Sequence, residues 1–216
     1  MHDNRMTTEI LTIDKGQCLT DVLPAIPANT IFDKTITGCG ATHSEIVNAA
    51  RHSIIIEPNI PVILGKKAEH PFLFAVYEGI TKEDVKAYLA GEHDGYRKII
   101  TTPEGFDKKV LPAMHELEIP VYKDYFLLFD ECEKAIQDVG YRGDIYLPVE
   151  DFFKFENKAM VSATPIVPSD PRFEENGFKI LKLVPTYDSR IELTLCTTNN
   201  TVAVMRKLLK RLENET

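Results

Sequence analysis

The chain has 216 residues, 44% of them apolar and 27% charged, enough for one large domain to bury a core without disulfide staples. Cys18, Cys39, Cys132 and Cys196 form no C-x-x-C pair, which argues against a zinc knuckle and for a reducing compartment. A formal net charge of −8 excludes a surface that is basic throughout; the polar amino terminus and the lack of any apolar run near the roughly 20 residues that span a bilayer predict a soluble, cytoplasmic protein with no membrane partner.

Thr30-Ile31-Phe32 is the first apolar run; a glycine turn and a helix from about His43 to Arg51 follow it. Ser53 to Ile56 is β-branched and stops at Glu57-Pro58, and Phe72 to Tyr77 is a further strand candidate. Thr81-Lys82-Glu83-Asp84 has the form of a capping box opening a helix to about Leu89. Lys98 to Thr101 reads as a strand, and Pro103 sits where a first helical turn tolerates it, ahead of Phe106, Val110, Met114 and Leu117 at helical spacing. Tyr125 to Phe129, Ala159 to Ser162, Phe178 to Val184 and Ile191 to Cys196 are the remaining strands. Asn200 is placed to cap a last helix with an apolar stripe of Val202, Met205, Leu208, Leu209 and Leu212; its opposite face, Arg206, Lys207, Lys210 and Arg211, reads as solvated surface. Near-continuous apolar runs alternating with helices predict an α/β fold, a mainly parallel sheet with helices on both faces.

Four segments carry chemistry. Thr37-Gly38-Cys39-Gly40-Ala41-Thr42 lies between a strand and a helix, where glycines let successive N–H groups face an anion and Thr42 offers a hydroxyl to a magnesium ion. Ala41 stands where the motif lysine belongs, and Thr35 where its first glycine belongs; taken alone, the segment is better explained as an ordinary strand-to-helix turn. Phe126 to Phe129 is an apolar strand that delivers Asp130 and Glu131, one carboxylate to hold a metal ion and one to activate water, with an acidic helix start as the equal alternative. Val161-Ser162-Ala163-Thr164-Pro165 and Ile99-Ile100-Thr101-Thr102-Pro103-Glu104-Gly105 each end a strand. Other readings fail on spacing: His115-Glu116 lacks a second ligand histidine, and His43-Ser44-Glu45 is followed by no P-C-x-x-C.

In this order the segments resemble the first RecA-like lobe of superfamily-two (DEAD/DEAH-like) helicases and translocases, over about residues 31–165: a phosphate loop (Gly38 to Thr42), a strand ending in proline (Ile54 to Pro58), a T-P-E-like segment (Thr101 to Glu104), a D-E-x-x box (Asp130 to Glu133) and S-A-T (Ser162 to Thr164). The resemblance implies a P-loop NTPase fold over 1–185, with 186–216 as an extension or the lead into a second lobe. It implies ATP and magnesium as ligands: Gly38, Cys39, Gly40, Ala41 and Thr42 around the phosphates, Thr42 and Asp130 on the metal, Glu131 activating water. Ser162 and Thr164 would couple the site to lobe movement, and Pro58, Thr101 and Thr102 would face a DNA or RNA backbone.

Two departures bear on function. Ala41 removes a cation from the β- and γ-phosphates; Lys34 is a candidate to replace it, against the plainer expectation of a surface lysine. The motifs of a second lobe, including its arginine finger, do not occur. The leading expectation is a nucleotide-binding lobe of a nucleic-acid-dependent ATPase, inactive alone and awaiting a second lobe or partner protein. The alternative is a pseudo-ATPase interaction module that binds no nucleotide.

Overall fold

The computed structural model describes residues 6–36, 38–132, 149–164, 168, 170–188 and 200–214, the side chains of 149 and 212–214 excepted. Thr37, Glu133, Pro165, the strand expected from Ile191 to Cys196 and the side chain of Leu212 lie outside the described residues.

Eight strands among these residues form one sheet: β1 (Thr8–Ile13), β2 (Thr30–Asp33), β3 (His52–Ile56), β4 (Phe74–Val76), β5 (Lys98–Thr101), β6 (Tyr125–Asp130), β7 (Asn157–Ser162) and β8 (Lys179–Pro185). Their order is β1-β8-β2-β7-β6-β3-β5-β4, and every pairing is parallel. β5 and β6 are buried at every residue, which is why their sequences read as unbroken apolar runs.

The two-residue period of a strand divides the core in two. Ile54, Ile56, Leu127 and Phe129 face one apolar cluster, which also takes residues of α4 (Lys82–Ala90), α6 (Leu111–Glu116), α7 (Val121–Asp124), α8 (Val149–Lys154) and α9 (Arg172–Glu175). Ile55, Phe126 and Leu128 face the other, covered by α1 (Leu19–Val22), α2 (Ala41–Val47) and α3 (Ile60–Glu69). The chain therefore has the expected α/β architecture, a parallel sheet clad by helices on both faces.

Local differences from the sequence reading have local causes. β1 gave no apolar run because it is an edge strand, with Ile10 exposed. α3 hid behind Pro58 and Pro61, but Pro61 falls in the first helical turn, where its missing N–H costs nothing. α2 stops at Val47 rather than near Arg51, because Asn48 turns extended and its side chain accepts the Ala50 N–H at 2.9 Å. The helix opened by α5 (Pro103–Gly105) widens to a π turn over Phe106–Val110 before α6. Pro112 explains the widening: it has no N–H to give the preceding turn, and its ring would press on the carbonyl four residues back. The Thr81 capping box forms as expected, with reciprocal Thr81 and Asp84 hydrogen bonds of 2.8 and 3.1 Å. So does the Asn200 cap of α10 (Thr201–Asn214), whose side chain accepts the Ala203 N–H at 3.1 Å.

At the amino-terminal edge of the sheet Glu45, fully buried, accepts from Arg51 at 2.5 and 3.1 Å and from the Ser53 hydroxyl at 2.5 Å. Lys98, 3% exposed, donates to Ser53 Oγ at 2.8 Å and lies 3.6 Å from Glu45. Burial lowers the Lys98 pKa to about 8; the Arg51 charge adds to this and Glu45 only partly offsets it. A lysine whose folded value lies below its unfolded one destabilises the fold at every pH under the folded value, and that cost fades as pH rises past it. Urea-denaturation stability is therefore expected to rise by up to about 3 kcal/mol between pH 8 and 10.5. A Lys98→Met variant that rises equally would remove Lys98 as the source.

Candidate functional site

In a parallel sheet the carboxyl ends of all strands share one edge, and there ligands of open α/β folds bind. β2 reaches that edge between β7 and β8, and the Lys34 N–H donates to Ser162 O at 2.9 Å, extending the ladder by one residue. The next residue, Thr35, has φ 52°, a left-handed conformation that glycine adopts more readily than any other residue. A β-branched residue there is strained. It is held by its N–H on Asp33 Oδ1 at 3.1 Å and by its hydroxyl on the Leu183 carbonyl.

Beyond it the loop curls through Gly38 at φ 74° and Gly40 at φ 90°, angles that an L side chain rarely adopts. The Leu19 N–H bonds the Cys39 carbonyl at 3.0 Å and pins the curl to α1. Cys39 is buried, and burial pushes its thiol pKa up, against a nucleophilic role. Ala41 is 4% exposed and belongs to the apolar cluster beneath α2, so a methyl group packs where the motif lysine would start.

β6 carries Asp130 to the same edge, 2% exposed. Glu131 follows at φ 51°, and its N–H donates to Asp130 Oδ1 at 2.9 Å. This left-handed turn leaves the Glu131 carboxylate beside Lys34. Lys34 Nζ lies 2.7 Å from Glu131 Oε1 and 3.2 Å from Asp130 Oδ1, while the Thr42 hydroxyl donates to Asp130 Oδ2. Burial alone would lower the Lys34 pKa, but the charges of Asp130 and Glu131 outweigh it and raise the value above the ordinary lysine range. Thus Lys34 and Thr42 meet Asp130 and Glu131, 88 to 97 residues further along the chain, in one hydrogen-bonded group.

The remaining expected residues fall at varying depth. Ser162 is fully buried behind Lys34, and its Oγ accepts the Thr164 N–H at 2.9 Å; Thr164 itself is exposed. Thr102 caps α5, accepting the Gly105 N–H at 3.0 Å, and Pro58 is half-buried. Thr101 corrects the sequence reading: it is 0% exposed and its hydroxyl donates to the Thr102 carbonyl, so its side chain presents nothing to a nucleic-acid backbone.

Glu57, Lys66, His43 and His70 were not among the expected site residues. Glu57, 2% exposed at the end of β3, accepts two hydrogen bonds of 2.8 Å from Asn59; burial raises its pKa, and the charges of Asp130 and Glu131 add to the rise. Lys66 of α3 joins Lys34 and residues 38–43 in lining a cleft of about 150 Å³. His43 Nδ1 lies 3.2 Å from His70 Nε2 beside that cleft. Recognition of Asn59-Ile60-Pro61 as a helix start would have placed Lys66 and His70 near the loop.

No family model matches the chain, and no curated protein matches it. Among solved structures it is similar to the crystal structure of the Pyrococcus furiosus Hef helicase domain, at 14% identity and a TM-score of 0.43 over 84% of this chain and 35% of that one. The chain thus spans about a third of the length of that helicase-domain chain.

Proposed function

We propose that the chain is a nucleotide-binding lobe of helicase or translocase type, which holds the polyphosphate of ATP at the 38–42 loop and does not turn it over alone. The observation that carries this reading is the meeting of Thr42, Asp130 and Glu131 at the carboxyl edge of the sheet, beside a left-handed glycine loop. The loop supplies N–H donors and Thr42 a hydroxyl; Lys34 and Lys66 line the same cleft. The missing lysine at position 41 removes a charge-assisted hydrogen bond of roughly 1.5–3 kcal/mol, a tenfold to hundredfold loss of affinity. Turnover in this class draws on a cation from a second lobe, worth about 10³–10⁵ in rate. A DNA or RNA strand and that second lobe or a partner protein are the proposed companions.

The expected result is saturable but weak ATP binding by calorimetry, with phosphate release at background whether or not single-stranded DNA or RNA is added. Heatless titrations of a folded chain would favour the interaction-module reading. Stimulated turnover abolished by Glu131→Gln would overturn the expected inactivity.

A further inference from the structure

The ion usually expected at such a site is magnesium, held at Thr42 and Asp130. The residues here do not fit it in that role. Asp130 already accepts from the Thr42 hydroxyl, from the Glu131 N–H at 2.9 Å and from Lys34 Nζ at 3.2 Å, and Lys34 Nζ also sits 2.7 Å from Glu131. We infer that the Lys34 ammonium is a built-in counter-ion for the two carboxylates, so that this site takes its polyphosphate as the free anion, without a divalent metal ion. The inference rests on the proposed nucleotide site.

The fold makes the placement of Lys34 specific. β7 lies between β2 and β6, so the Lys34 side chain, its 3.2 Å contact and the Asp130 side chain together bridge about two strand spacings, roughly 10 Å. Its backbone is fixed by the Ser162 carbonyl on one side and by the left-handed turn at Thr35 on the other. Lys34 is 8% exposed, so its charge is held in place with little water to exchange for it. A divalent ion binding through Asp130 must evict an ammonium that two carboxylates hold.

Lys66 completes the arrangement. It lines the cleft but is paired only at the surface, 2.8 Å from a Glu69 carboxylate that is 58% exposed. Such exposed pairs contribute little and re-form readily. Lys66 is therefore the cation able to turn toward an arriving phosphate, while Lys34 stays with the acids.

The test pairs a metal titration with a nucleotide titration on the whole chain. Paramagnetic resonance counts free Mn²⁺ added to the wild type and to Lys34→Met; calorimetry measures ATP affinity in EDTA and in excess Mg²⁺. Expected are no saturable Mn²⁺ site in the wild type, a one-to-one site in Lys34→Met, and wild-type ATP affinity equal within about twofold in the two buffers. In Lys34→Met, ATP affinity should fall at least about tenfold in EDTA and recover with Mg²⁺. A wild-type Mn²⁺ site that Asp130→Asn removes, or a tenfold gain in wild-type ATP affinity on adding Mg²⁺, would overturn the inference and leave the nucleotide site standing. Absence of ATP binding in both buffers would overturn the nucleotide site itself, and the Mn²⁺ titration would then decide the counter-ion role alone. Both wild-type measurements stand even where the variant does not fold.

Discussion

Replacement of Glu45 by alanine is expected to lower the melting temperature by about 10 °C or more, the largest effect of any single change proposed here. Glu45 is fully buried and serves Arg51, Ser53 and Lys98 at once. Removing one member of a buried ion pair costs about 3–5 kcal/mol, because the partner's charge remains buried without compensation. For a chain of this size each kcal/mol moves the midpoint by about 2–4 °C. Arg51 cannot escape by deprotonating, and its guanidinium is also stacked 3.4 Å over the Phe126 ring. Lys98 can, so the paired change Glu45→Met with Lys98→Met is expected to recover part of the loss. Circular-dichroism melts decide it: a Glu45→Ala shift of only a degree or two would mean that water reaches this network.

Lys34→Met is expected to cost about 2–4 kcal/mol at neutral pH, somewhat less than a fully buried pair because the Glu131 side chain is 22% exposed. The change leaves Asp130, Glu131 and the nearby buried Glu57 facing one another without a cation. The sign of the pH dependence follows from the raised Lys34 pKa. A lysine whose folded value is raised stabilises the fold fully below its unfolded value of 10.5 and loses that contribution only as pH climbs through the folded value. The wild-type advantage over Lys34→Met, with respect to the lysine, should therefore not decline up to about pH 10. Urea titrations of Lys34→Met, Asp130→Asn and the double variant give the coupling; additive losses would show that the 3.2 Å contact contributes nothing.

The strands were legible because β3, β5 and β6 are covered on both faces, and two-sided burial writes a continuous apolar run into the sequence. β1 was not, since an edge strand needs only one apolar face. Asp130 and Glu131 stood out as acids closing an apolar strand, and the glycines at 38 and 40 as residues of a turn whose N–H groups could face an anion; their left-handed backbone is seen only in the structure. The role of Lys34 was out of reach, because its partner lies two strands away and 96 residues on, a relation fixed by strand order. Thr101 was misread for a related reason: its motif lies at the right edge of the sheet, but the alternation of a strand turns that side chain inward.

The strand order also dictates when the loop can take shape. β3, β4, β5 and β6 find one another within residues 52–130 and can assemble early as their chain emerges. β2, made before them, has both of its neighbours in β7 and β8, more than 120 residues later, and β1 pairs with β8 as well. Contacts so distant in sequence form late, since the intervening chain must first be ordered. The segment that leads into the 38–42 loop thus waits, unpaired, for β7 and β8. Its carbonyl anchors at Ser162 and Leu183 come with those late strands, so the cleft lined by Lys34, residues 38–43 and Lys66 is among the final features to close during synthesis.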